Sequence, residues 1–120
     1  MDKTVIYISI PITGRNIDHV IERCKQLKDR FKTRYNIIVN PFDLATDEDG
    51  VYNKSYGIYM GADIKFIIDE ADIVIFDKGY QDSRGCLLEY RCAELYNKTI
   101  MVINDEDEAL SLVEEQQIHQ

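Results

Sequence analysis

Glu89 stands where a helix should turn only small or apolar side chains toward its sheet. The run Asp82-Ser83-Arg84-Gly85-Cys86-Leu87-Leu88-Glu89 follows the apolar segment Ile73-Val74-Ile75-Phe76, which reads as a strand, a polar turn and a helix opening on small residues. At roughly 100° per residue, Gly85, Cys86, Cys92, Ala93 and Tyr96 fall within about 60° of Glu89, while Leu87, Tyr90, Arg91 and Glu94 lie on the other side. A carboxylate on the buried side must be paired or put to use, because burying an isolated charge is costly. Asp63 repeats the pattern: Tyr56, Tyr59, Met60, Phe66 and Ile67 share its face, and Lys65 lies opposite. Two acids facing one cavity suit glycosidic-bond chemistry, in which one attacks or stabilises the anomeric carbon and the other donates a proton. Tyr7, near the end of the first apolar run, adds a hydroxyl that needs a partner when buried, and Glu89 would satisfy both. The tyrosines at 52, 56, 59, 80, 90 and 96 read mostly as packing, with one from the 52–59 region placed to stack on a base.

A second chemistry lies beside the first. Ser83 is a good N-cap, Gly85 lets another group approach the first helical turn, and Arg84 or Arg15 adds positive charge. A helix N-terminus with free amides, a hydroxyl and a nearby arginine suits a phosphate. The expected substrate- and phosphate-binding set is therefore Ser9, Ile10, Thr13, Gly14, Arg15, Ser83, Arg84 and Gly85, beside the catalytic candidates Glu89, Asp63 and Tyr7. Cys24, Cys86 and Cys92 form neither an even disulfide set nor a CxxC pair, and His19 and His119 have no metal-ligand spacing with them. Free thiols in a reducing compartment are expected, with no metal and no organic cofactor.

The elements that must position these residues alternate along the chain. Val5–Ile8, Ile37–Val39, Ile73–Phe76 and Ile100–Ile103 are short, β-branched and almost wholly apolar, the pattern of strands covered on both faces. Helices are expected over Ile17–Tyr35, Tyr56–Glu70 and Arg84–Asn97, with a last one from about Glu106 to Glu115 and a fraying tail over Gln116–Gln120. Such alternation predicts an α/β fold with right-handed crossovers: a flavodoxin-like (Rossmann-like) three-layer sandwich around a four- or five-stranded parallel sheet of order 2-1-3-4(-5). One domain spans residues 1–120. The irregular stretch from Pro41 to Ser55, with its Asp47-Glu48-Asp49-Gly50, reads as a functional or mobile loop. In such sheets ligands bind beyond the carboxyl ends of the strands where the order reverses. Here that means the loops Ser9–Arg15 and Lys78–Gly85, which are also the most turn-rich and polar connections.

Bulk properties narrow the partners. The net charge is −8, with 22 acidic against 14 basic residues and no basic stripe, so a nucleic acid is not expected. No apolar run nears the roughly 18 residues of a membrane span, and Met1-Asp2-Lys3 leads straight into a strand, so a cytoplasmic protein without a signal peptide is expected. Leu87 and the tyrosine-rich second helix would offer an apolar surface for a homodimer or higher oligomer.

These residues resemble the nucleoside 2-deoxyribosyltransferase superfamily, including the 2'-deoxynucleoside 5'-phosphate N-hydrolases, and within it a subgroup of small bacterial and phage proteins of unassigned function. The resemblance rests on Tyr-Ile-Ser-x-Pro-x-Thr-Gly (Tyr7 to Gly14), Tyr-Met-x-x-Asp-Ile (Tyr59 to Ile64) and Ser-Arg-Gly-x-x-x-Glu (Ser83 to Glu89) followed by Ala93. It covers about Val5 to Val102. By resemblance, Glu89 matches the nucleophile that forms a glycosyl-enzyme ester, Asp63 the acid that protonates the leaving base, and Tyr7 the tyrosine that holds the nucleophile. Ser83 matches the position that reads the 5' end of the sugar, where serine favours a 5'-monophosphate over a free nucleoside. Members of that superfamily are dimers or larger. Two positions depart from it: Ile10 stands where glycine is usual, which should narrow the pocket, and Arg91 replaces a close-packing glycine. The resemblance implies cleavage of the N-glycosidic bond of a (deoxy)nucleoside 5'-monophosphate, by hydrolysis or by transfer to a second base. The alternative is a non-catalytic module that binds or senses a nucleotide.

Overall fold

A computed structural model describes residues 3–45 and 55–112. The acidic run Asp47-Glu48-Asp49-Gly50, Tyr52, His119 and the tail from Gln116 lie outside the described residues. The elements run β1 (Thr4–Ser9), α1 (Ile17–Phe31), β2 (Asn36–Val39), α2 (Pro41–Leu44), α3 (Tyr56–Asp69), β3 (Ile73–Phe76), α4 (Arg84–Leu95), β4 (Thr99–Ile103) and β5 (Ala109–Ser111), with a single 3-10 turn at Tyr80–Asp82 before α4. The strands form one sheet of order β2-β1-β3-β4-β5. The first four are parallel, with Tyr7 opposite Val39 on one side and Val74 on the other. This is the expected flavodoxin-like α/β architecture.

Strand alternation divides the core into two layers. Ile6, Ile8, Ile10 and Ile75 pack with Val20, Cys24 and Leu27 of α1 on one face. Tyr7, Val74 and Phe76 point the other way and pack with Ile67 of α3 and Cys86, Cys92 and Ala93 of α4. Tyr7 and Ser9, two residues apart on β1, therefore both face the layer of α3 and α4, and both are fully buried. All three cysteines are buried and free. No helix among the described residues is long and apolar enough to cross a membrane.

Three expectations are corrected. The segment after β4 begins not as a helix over Glu106–Glu115 but as a hairpin whose second strand, β5, runs antiparallel to β4, with Val102 opposite Leu110. The reason is local: the Asn104 side chain accepts hydrogen bonds from the backbone N–H of Glu106 (3.1 Å) and Glu108 (2.8 Å), and Asp107 takes a left-handed φ of 64°. Those bonds commit the amides that a helix would need to a turn instead. The fifth strand thus makes the sheet mixed rather than wholly parallel. Next, α1 ends at Phe31, short of Tyr35, because the Asn36 side chain donates to the Phe31 carbonyl (2.9 Å) and accepts from Thr33 N–H (3.0 Å). Finally, the stretch after Pro41 is not irregular from its start. Asn40 and Asp43 close a reciprocal capping box over α2, with Pro41 in its first turn.

Candidate active site

The crevice lies at the carboxyl ends of β1 and β3, the neighbours between which the strand order reverses. Their following loops lean together. Asp77 N–H donates to the Ser9 carbonyl at 3.0 Å, and the Arg15 guanidinium lies so close over Gly79 that a Cβ there would stand 2.7 Å from Nη2. Gly79, at φ 86°, and Gly14, at φ 79°, hold left-handed turns in these two loops, a conformation glycine adopts without strain.

At the base of the crevice, α4 delivers Glu89 into the layer between sheet and helices, where it is 3% exposed. The Ser83 side chain caps α4 by accepting from Cys86 N–H at 3.3 Å, which fixes the helix start and with it the depth at which Glu89 enters. The Tyr7 hydroxyl donates to Glu89 Oε2 at 3.0 Å, and the Ser9 hydroxyl donates to Oε1 at 2.6 Å. Each carboxylate oxygen therefore has a donor from β1. Asp63, from α3, is also buried and stands in hydrogen-bonding contact with both Glu89 and Tyr7.

Burial dominates the electrostatics of this cluster. It pushes Glu89 well above the usual carboxylate range, and the charge of Asp63 pushes in the same direction, while the hydroxyls of Ser9 and Tyr7 oppose both. Asp63 is raised by burial too, and its hydrogen bonds to Glu89 and Tyr7 pull it back. The pair thus retains a proton at pH values where ordinary carboxylic acids have lost theirs. Tyr7 is raised well above its ordinary value by burial and then by the two acids, so it remains a donor. Cys86, beside Glu89, is raised mainly by burial and stays a thiol rather than a nucleophilic thiolate.

Two spaces share Thr13, Tyr56, Ser83 and Gly85 in their walls, and the smaller of them meets this cluster. An outer vestibule of about 590 Å³ opens between the loops and is lined by Thr13, Arg15, Tyr56, Ser83, Arg84 and Gly85, among others. An inner compartment of about 50 Å³ reaches Asp63, Cys86 and Glu89. Most of the expected residues gather here. Glu89, Asp63 and Tyr7 form the buried cluster; Thr13, Arg15, Ser83, Arg84 and Gly85 line the vestibule. Three play parts other than those the sequence led us to expect. Ser9 does not reach the vestibule but holds Glu89, and the signal for this was its spacing of two from Tyr7 on one strand. Gly14 shapes its loop and lines neither space. Ile10 borders the inner compartment, but its side chain packs into the core on the α1 side.

One wall residue was missed, and another was anticipated only in part. Asp82 places an exposed carboxylate in the vestibule wall beside Arg84. Tyr56, expected on the Asp63 face and within the 52–59 region placed to stack on a base, lines both spaces, which follows from how α3 crosses α4. Among the described residues no group of three or more His, Cys, Asp or Glu side chains is placed to hold a metal ion.

The family described as a domain of unknown function, DUF4406, matches residues 4–102, from the first residue of β1 into β4. The chain belongs to that family. The matched segment contains Tyr7, Ser9, Asp63, Ser83 and Glu89, so the whole cluster and the cap that positions it lie within the DUF4406 domain, whereas β5 lies beyond it. No match is found among curated proteins.

Proposed function

We propose that this DUF4406 protein is an N-glycosidase that cleaves the base from a nucleoside 5'-monophosphate. The observation that carries the reading is the buried pair Glu89–Asp63, with donors from Tyr7 and Ser9 on Glu89, at the foot of a vestibule that offers Arg15, Arg84 and the amino end of α4 to an anion. The likeness of the motifs around Tyr7, Asp63 and Ser83–Glu89 to the nucleoside 2-deoxyribosyltransferase superfamily supports it.

In this mechanism the phosphate sits at the vestibule arginines and the α4 amides, with charge complementarity supplying the orientation. The proton held by the pair resides on Asp63 in the reactive form, and the hydroxyls of Ser9 and Tyr7 stabilise charge on Glu89. Glu89 attacks C1', forming a C–O ester bond as the C1'–N bond breaks. The bonding pair leaves with the base, whose nitrogen takes the proton from Asp63. Asp63, now a carboxylate, accepts a proton from a water that attacks C1' and restores the Glu89 carboxylate. A second base in place of that water makes the reaction a transfer. The exposed Ile58, Leu87, Leu88 and Leu95 on α3 and α4 support self-association of the enzyme as a homodimer or larger.

One observation favours a second reading. The inner compartment, about 50 Å³, has room for one or two water molecules and not for a sugar ring, as in a module that binds a nucleotide in the vestibule without turning it over. Incubation with a panel of deoxy- and ribonucleoside monophosphates, with Glu89→Gln alongside, separates the two. Base release that the variant lacks supports the glycosidase; saturable binding without release from the wild type supports the binding module.

A further inference from the structure

The two spaces of the site differ about tenfold in volume and meet at Tyr56. Among the described residues, Thr13, Tyr56, Ser83 and Gly85 line both, and of these only Tyr56 has a large side chain. Its position over the boundary is set by α4: a Cβ on Gly85 would stand 2.9 Å from the Tyr56 hydroxyl and 3.4 Å from Met60 Sδ. Gly85 is therefore the gap in the first turn of α4 through which the phenol lies across the helix. The phenol feels the charges of Glu89 and Asp63, which lie beneath it, and Arg84 on the vestibule side.

Tyr56 stands largely in the open. It is 57% exposed and is the first residue of α3, next to the capping Ser55, whose hydroxyl accepts from Ile58 N–H. A side chain at the first turn of a helix can change rotamer without disturbing the backbone bonds of the rest. Met60, Asp63 and Ile67 anchor α3 further along, so the hinge is the Tyr56 side chain alone.

We infer that Tyr56 is the access-determining residue of this site: its phenol, laid across Gly85 at the boundary of the two spaces, narrows the way from the vestibule to Glu89 and Asp63, and a ligand seated in the vestibule enters by displacing it. This deepens the reading of the site as one in which a ligand reaches Glu89, and it accounts for an inner space too small for a sugar. It makes Tyr56 a residue that selects what meets the carboxylates by size, distinct from the arginines that select by charge.

Cys86 provides a reporter that needs no turnover. It lines the inner compartment and is 2% exposed, while Cys24 and Cys92 are buried elsewhere. The rates at which methyl methanethiosulfonate modifies the three thiols are read by peptide mass spectrometry in the wild type, Tyr56→Ala, Tyr56→Phe and Gly85→Ala. Tyr56→Ala should raise the Cys86 rate by about tenfold, in line with a larger open population, with Cys24 and Cys92 unchanged. Tyr56→Phe, which keeps the ring, should stay near wild type, and Gly85→Ala, whose methyl pushes the phenol aside, should rise. A Cys86 rate equal in wild type and Tyr56→Ala, or a rise shared by all three cysteines, overturns the inference. Base release that fails in wild type while Cys86 opens in Tyr56→Ala contradicts the glycosidase reading and leaves the gate standing.

Discussion

Glu89 is held by two hydroxyls of one strand and opposed by one carboxylate, and its protonation governs both stability and chemistry. Burial raises both acids of the pair above the roughly 4 each has in an unfolded chain, so the pair as a whole holds a proton beyond the ordinary carboxylate range. The folded protein therefore holds these protons more tightly than the unfolded one. Their contribution to stability is complete below about pH 4 and is lost as pH rises through the folded values. Thermal melts should accordingly show stability falling from pH 5 to pH 9. Glu89→Gln, which keeps the shape of the protonated acid, should flatten that fall and be the more stable protein at pH 9. Parallel pH profiles for the two proteins would contradict the assignment. A second expectation concerns Ser9, whose bond to Glu89 is 2.6 Å. Ser9→Ala removes a hydrogen bond to a charged acceptor, worth about 1.5–3 kcal/mol, and should raise the apparent pKa of the ascending limb in a pH–rate profile. A limb that does not move assigns Ser9 a packing role only.

The Tyr7–Glu89 contact was legible because a buried strand-end tyrosine hydroxyl and an acid on a buried helix face each need a partner. Ser9 was misplaced because its neighbours, Ile10 to Arg15, form a polar loop, and the eye groups it with them. Period-two alternation puts it with Tyr7 instead.

Elements decide where those residues meet, and the α1 side shows how strongly. Asp77, just past β3, is 1% exposed and accepts from Arg23 of α1 through Nε (3.0 Å) and Nη2 (2.8 Å), while Arg23 also donates to Asp107 at 2.7 Å in the β4–β5 turn. One arginine thus ties α1 to the ends of β3 and β4, directly behind the crevice. Arg23→Met leaves Asp77 buried and unpaired and should lower stability by roughly 3–5 kcal/mol in denaturant titrations. Adding Asp77→Asn should recover part of the loss, and no recovery would mean the arginine acts through packing rather than charge. The sequence showed the strands clearly, since β-branched apolar runs have few other readings. It concealed the hairpin, because Glu106–Leu112 is rich in good helix formers and only the capture of two amides by Asn104 redirects it. It also concealed Tyr56 across Gly85, which depends on how two helices cross rather than on any spacing within either.

At the scale of the whole molecule, the α3–α4 face carries several exposed apolar side chains. Ile58, Leu87, Leu88 and Leu95 stand exposed on α3 and α4, in a chain of net charge −8 whose self-repulsion opposes casual association. Self-association through this face predicts a dimer or larger species in sedimentation velocity and a monomer for Leu88→Glu. A wild-type monomer at micromolar concentration would contradict it.

The proposed activity has Glu89 and Asp63 together break an N-glycosidic bond. The most direct measurement is chromatographic detection of free base from nucleoside 5'-monophosphates incubated with wild type, Glu89→Gln and Asp63→Asn. Release by the wild type from at least one monophosphate is expected, with little from the matching free nucleoside and a loss of about a thousandfold or more in Glu89→Gln, as when a covalent nucleophile is removed. Release that survives in Glu89→Gln, or a wild type that binds the nucleotides and frees no base, would contradict it.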